Sequence, residues 1–169
     1  MPTNLELKIR LDNPGSVLDK VKETDAEFKG ELNQTDVYYK IKNGLLKLRL
    51  ESGKQTLIKY VRNEISDERW SDYQLISLEN NDARSYLNGI LEEEAVVEKK
   101  RLLYLYDNTR IHIDEVKGLG TFLELETLVI SGKKEAAERF EKIIGLLSLK
   151  KKNEIRKSYR DLIMEKKGK

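Results

Sequence analysis

Asn4-Leu5-Glu6-Leu7-Lys8-Ile9-Arg10 alternates polar or charged side chains with aliphatic ones without a break. Strict period-two alternation over such a run is the pattern of a strand with two unlike faces. The same reading applies to Leu46-Lys47-Leu48-Arg49-Leu50-Glu51, to Arg110-Ile111-His112-Ile113-Asp114 and to Phe122-Leu123-Glu124-Leu125-Glu126. The ordinary consequence is an antiparallel sheet with its charged face in water. These faces, however, hold almost only Glu, Lys, Arg, Asp and one His, without the Thr, Ser and Gln that dilute a solvated surface. If the strands close on one another, the charged faces line a shared cavity, where each unpaired ion costs several kcal/mol. Such a cavity calls for a multiply charged ligand and metal ions.

The rest of the 169-residue chain sets the frame for that reading. The length fits a single domain over residues 1–169 with a substantial core. Hydrophobic residues make up 38% and charged residues 37%, so many charges are either solvated or organised in a site. A net charge of only +2 argues against a nucleic-acid partner. The sequence has no cysteine, which excludes disulfides, a thiolate nucleophile and a zinc–thiolate centre. No apolar run approaches the ~18 residues of a membrane span and the N-terminus is not signal-like, so no membrane partner and a cytoplasmic location are expected.

Taken in order, strands are expected at residues 4–11, 34–41, 45–50, 56–62, 70–78, 95–106, 109–116 and 121–130. Asn43-Gly44 reads as a two-residue hairpin turn and Asp107-Asn108 as another short turn. In the fourth strand either Ile58, Tyr60 and Arg62 face inward, or Leu57, Lys59 and Val61 do. A polar loop is expected from Asn63 to Glu68. Helices are expected after Asn13-Pro14, at 82–91 with Asn81 or Asp82 as its cap, at 133–147 and at 153–166. The fold class is therefore α+β: a closed eight-stranded antiparallel β-barrel with helices packed outside, eight being about the number that encloses one ligand.

On the charged faces, Glu6, Glu124 and Glu126 supply three carboxylates, with Asp114 on the neighbouring strand. Oxygen-only ligation suits Mg²⁺ or Mn²⁺. Opposite stand Lys8, Lys47, Arg49, Lys99, Arg101 and Arg110. Cations at i and i+2 on one strand face lie ~6.6 Å apart, a spacing that can hold successive phosphates. His112 shares their parity, as a hydrogen-bonded spacer or a proton-transfer group.

The ordered set Asn4 to Lys8, Asp36-Val37-Tyr38-Tyr39, Leu46 to Arg49, Val97 to Arg101, Arg110 to Asp114, Phe122 to Glu126 and Ser158 to Leu162 resembles the CYTH domain. This is the family of class IV adenylyl cyclases and thiamine triphosphatases, also called triphosphate tunnel metalloenzymes. The resemblance implies an eight-stranded tunnel that binds a triphosphate with a divalent metal. It implies metal ligation by Glu6, Glu124 and Glu126 and phosphate contacts from Lys8, Arg49, Lys99, Arg101 and Arg110. Asn4 departs from the first glutamate of the family's Glu-x-Glu-x-Lys signature, keeping an oxygen ligand but removing a negative charge. The lysine common on the fourth strand is assigned to Arg62, with Lys59 as the rival.

Three functions follow. The first is a metal-dependent phosphohydrolase acting on tripolyphosphate, thiamine triphosphate or a nucleoside triphosphate. In it Lys8, Tyr38 and Tyr39 are the candidate catalytic groups, and a cation beside Tyr38 or Tyr39 would lower its phenol pKa. The second is an adenylyl cyclase, and the third a non-catalytic polyphosphate or nucleotide binder. The expected partner is a small-molecule triphosphate, and the expected assembly a monomer or homodimer.

Overall fold

The computed structural model describes residues 1–63, 68–79 and 82–168, without the side chain of Asn63. Eight strands, β1 (Thr3–Arg10), β2 (Glu27–Tyr39), β3 (Leu45–Glu51), β4 (Lys54–Asn63), β5 (Arg69–Leu78), β6 (Glu93–Tyr106), β7 (Thr109–Val116) and β8 (Gly120–Leu128), close into one barrel. Around it they run β1-β5-β4-β3-β2-β6-β7-β8, and every neighbouring pair is antiparallel. Among the described residues four α-helices lie outside: α1 (Pro14–Glu23), α2 (Ala83–Asn88), α3 (Lys133–Leu146) and α4 (Tyr159–Lys166). None of the described helices is long and apolar enough to cross a membrane.

The barrel is built inside out relative to a usual core. Leu5, Leu7 and Ile9 of β1, Ile111 and Ile113 of β7, and Leu123 and Leu125 of β8 point outward, under Ala136, Phe140, Ile143 and Ile144 of α3. Val37, Tyr39 and Leu48 pack beneath Ala83 and Leu87 of α2. The helices thus bury the aliphatic half of each alternating strand, which leaves the charged half no place but the interior. Each well-buried aliphatic side chain contributes roughly 1.5–3 kcal/mol, which offsets the cost of that interior.

Turn chemistry fixes the register. Asp107 and Asn108 have φ of 44° and 57°, the paired left-handed geometry of a tight hairpin, and so place Arg110 opposite Leu105. Gly44 has φ of 78°, and a Cβ there would meet the Tyr60 carbonyl oxygen at 2.6 Å. Only glycine fits. Asn43-Gly44 nevertheless closes a loop of residues 40–44 rather than a two-residue turn, because β2 ends at Tyr39, paired with Leu46.

Three further expectations shift. β2 begins at Glu27, not Gln34: its first half pairs with the far end of β6 across an irregularity between Phe28 and Gly30. The helix expected at 82–91 spans only Ala83–Asn88. The helix expected from Asn153 is a 3₁₀ turn at Lys151–Asn153, an extended strap, and then α4. The strap is held to β1 by a Glu154–Ile9 bridge and by the Ile155 amide donating to the Lys8 carbonyl at 2.7 Å. Ser158 and Asp161 form a capping box that starts α4 six residues late. The expected loop between residues 63 and 68 and the alternative cap Asn81 lie outside the described residues, apart from the ends of that loop.

Candidate active site: a charged tunnel

The inward faces enclose a cavity of about 300 Å³ lined by Asn4, Glu6, Lys8, Lys47, Arg49, Arg62, Lys99, Arg101, Arg110, His112, Glu124 and Glu126. Neighbouring pairs bring these groups together. Glu6 lies opposite Glu126 and Lys8 opposite Glu124 across β1 and β8, while Arg110 and His112 face Glu126 and Glu124 across β7 and β8. On the far wall Lys47 and Arg49 of β3 pair with Tyr38 and Asp36 of β2. The barrel order sets the acidic β8–β1 wall across from the cationic β3–β2 wall.

Asp36 organises the cationic wall, although the sequence reading quoted it only within a motif. It is fully buried and pairs with Lys99 at 2.7 Å, Arg49 at 2.8 Å and Lys47 at 3.2 Å. Burial alone would raise its pKa, but Lys47, Lys99 and Arg49 hold it well below the usual carboxylate range. Desolvation pushes Lys47 down to about 7 despite the opposing pull of Asp36, with Arg49 and Lys99 adding to the fall. These cations are therefore preassembled around one carboxylate whose charge does not balance theirs.

On the opposite wall, burial would raise Glu124, but Lys8 and Arg101 keep it well below its ordinary value. Glu126 is likewise depressed, to about 2, the Arg110 guanidinium overcoming desolvation. Glu6 moves the other way: burial lifts it, Arg62 opposes, and the proximity of Glu126 and Glu124 adds to the rise. Lys8 falls to about 8, mainly through desolvation. Its ammonium donates to the Lys157 carbonyl at 3.0 Å and sits over the Tyr159 ring. His112 is buried and neutral, its pKa driven well below the imidazole value by desolvation and by Arg101.

Several expected roles change with the geometry. Asp114 lies near His112 and Glu124, with one ligand atom of each within 4.8 Å of the others. Both of its oxygens are already engaged, by a two-pronged Arg101 pair at 2.7 Å and by the Tyr159 hydroxyl at 2.8 Å. Asp114 therefore orients Arg101 while remaining in the one group of described residues, with His112 and Glu124, whose spacing could hold a metal ion. Tyr39 points out of the tunnel, its hydroxyl donating to Asn88 beneath α2. Tyr38 faces inward, but its phenol pKa rises well above 10.0 through burial, Tyr60 and Asp36, so it keeps its proton at neutral pH. A cation does stand beside it, Lys47 at 5.6 Å from the ring centre, but it does not offset these effects. Arg62 faces the cavity and Lys59 faces solvent, which settles the parity of β4.

Two contributors escaped the sequence reading. Arg69 is 1% exposed and lies 3.9 Å from Glu6. Extending the parity of Tyr73 and Ser71 back past Trp70 would have found it. Tyr159 enters the tunnel from α4 and packs with Phe122, Val97, Val116 and Tyr38 in an apolar cluster that covers one end. The other end opens to solvent where Leu75 and Arg110 are exposed, beside Leu32, Tyr73 and Leu103.

A family model described as the CYTH domain matches residues 2–159. The chain belongs to the CYTH family. MJ0240 of Methanocaldococcus jannaschii, named as a proposed adenylate cyclase, is 28% identical over 94% of this chain and 97% of its own. The structure of PH1012 from Pyrococcus horikoshii superposes with a TM-score of 0.84 at 22% identity, covering 94% of this chain and 98% of that one. HpAC1 from Hippeastrum, a proposed adenylyl cyclase described as having a dominant triphosphatase activity, shares the CYTH fold with a TM-score of 0.65. It is 13% identical, over 98% of this chain and 96% of its own.

An oxygen-rich set fits a divalent cation here. The Asn4 amide oxygen is buried in the cavity wall without a hydrogen-bond partner, next to Glu6 and Glu126. Neutral and anionic oxygens grouped in this way are the donor chemistry of Mg²⁺ and Mn²⁺.

Proposed function

We propose that this protein is a metal-dependent phosphohydrolase that cleaves the terminal phosphate of a triphosphate bound along the tunnel. The observation that carries the reading is the convergence of Lys8, Lys47, Arg49, Arg62, Lys99, Arg101 and Arg110 on one cavity. With Arg69 added, the described residues of the interior set eight cations against the carboxylates of Glu6, Asp36, Asp114, Glu124 and Glu126. That surplus favours a polyanion, and in a site largely screened from water the attraction is stronger than at a surface.

Phosphoryl transfer asks the protein mainly for positioning and charge stabilisation. Arg49 and Arg101 present fixed guanidinium forks, each oriented by a buried aspartate, to two parts of the phosphate chain. Lys99 and Lys8 lie toward the covered end, where a terminal phosphate would sit. Lys8, lowered to about 8, has a neutral fraction near physiological pH that can take a proton from an attacking water. Glu6, Glu124 and Glu126, with Asn4, would hold Mg²⁺ or Mn²⁺. The bound ion supplies charge neutralisation of the phosphate oxygens.

A second reading, adenylyl cyclase, draws on the open end, where Leu32, Tyr73, Leu75 and Leu103 offer apolar surface to a nucleoside. Product analysis with tripolyphosphate, thiamine triphosphate and ATP in Mg²⁺ separates the readings. Release of orthophosphate that stops in excess chelator supports the hydrolase. Cyclic AMP with pyrophosphate would replace it with the cyclase, and no product would leave a binding protein.

A further inference from the structure

The acidic wall carries its own counter-ions. Glu6 lies 3.5 Å from Arg62 and 3.9 Å from Arg69. Glu124 lies 2.8 Å from Arg101 and 3.8 Å from Lys8, and Glu126 lies 2.9 Å from Arg110. With Asp114 included, four carboxylates face five cations among the described residues, which therefore give this wall no net negative charge with which to draw in a dication. Position 4 matters here. Asn4 is 3% exposed, and its amide nitrogen donates to Glu126 at 3.0 Å. Its amide oxygen is buried in the cavity wall with no hydrogen-bond partner. A neutral ligand thus stands where one more carboxylate would cancel the surplus positive charge that repels a dication and would supply an anionic oxygen to hold it.

Resting on the triphosphate reading above, we propose that a divalent ion does not bind this wall alone. It enters with the triphosphate, one ion per chain, and the Asn4 amide oxygen is one of its ligands. Phosphates engaging Lys8, Arg62 and Arg101 compete with Glu6 and Glu124 for those cations. The carboxylates they release then acquire the uncompensated charge that a dication needs. By linkage, the ion strengthens triphosphate binding by the same factor.

The test counts ions directly. The full chain is dialysed to equilibrium against micromolar Mn²⁺, alone or with imidotriphosphate, whose bridging nitrogens resist hydrolysis. The same is done for Asn4→Asp and Asn4→Glu, with melting curves to verify folding, so that one variant suffices if the other fails. Wild type is expected to retain no Mn²⁺ alone and one ion per chain with the analogue. The variants are expected to retain Mn²⁺ without it, at least about tenfold more tightly than wild type. Wild type holding Mn²⁺ alone as tightly as Asn4→Asp, or two ions per chain with the analogue, overturns the inference and leaves the triphosphate reading intact. Failure of the analogue to bind under any condition overturns both.

Discussion

Lys47 lies beside Asp36, Arg49 and Lys99 in a wall screened from water, and its pKa falls from 10.5 to about 7. Between those values the unfolded chain holds a proton that the folded chain has released. The contribution of Lys47 to stability therefore rises with pH across that window. Triphosphate binding has the opposite sign, because it favours the charged ammonium. The melting temperature of the free protein should climb from pH 7 to pH 9 relative to Lys47→Arg. The tripolyphosphate-induced rise should shrink over the same range in wild type and not in Lys47→Arg. Parallel pH profiles for the two proteins would contradict the assignment. Asp36 gives a second residue-scale expectation. Asp36→Asn leaves three buried cations without their shared anion, a loss of about 3–5 kcal/mol. Tripolyphosphate should recover part of it, which chemical denaturation with and without the ligand would measure.

Among the elements, those legible in the sequence were the ones whose period and packing agree. β1, β7 and β8 alternate cleanly because α3 needs an aliphatic face and the tunnel a charged one. The first half of β2 was missed because Glu27, Lys29, Gly30 and Glu31 show no such alternation; its pairing with β6 supplies the order. Tyr38-Tyr39 was read as a pair, yet adjacent strand residues face opposite sides and only Tyr38 can reach the site. The strap before α4 was invisible because its hydrogen bonds run to β1, a partner distant in sequence. The capping box that ends the strap gives a test. Ser158→Ala removes the acceptor for the Asp161 amide and should cost about 1 kcal/mol. Since α4 carries Tyr159 over the covered end of the tunnel, the triphosphate KM should rise as well. An unchanged KM in a folded variant would mean that α4 only packs.

At the scale of the whole molecule, the barrel encloses a dense set of charges that an ordinary core would exclude. Helices outside supply the apolar burial, and buried ion pairs inside hold the cations in place at little net gain in stability. Eight strands, their antiparallel order and the charged interior were all readable from alternation and turn signals. The pairing of each carboxylate with a cation was not, because alternation reveals which face a residue takes and not which neighbour it meets across the barrel. The central claim is that this interior is built for a triphosphate. The direct measurement is the melting temperature of the wild-type chain with and without tripolyphosphate in Mg²⁺. At about one hundred times the dissociation constant, a ligand that binds only the folded state adds about 2.7 kcal/mol. For a chain of this size that is a rise on the order of 5–10 °C. An unshifted transition at saturating tripolyphosphate would contradict the account.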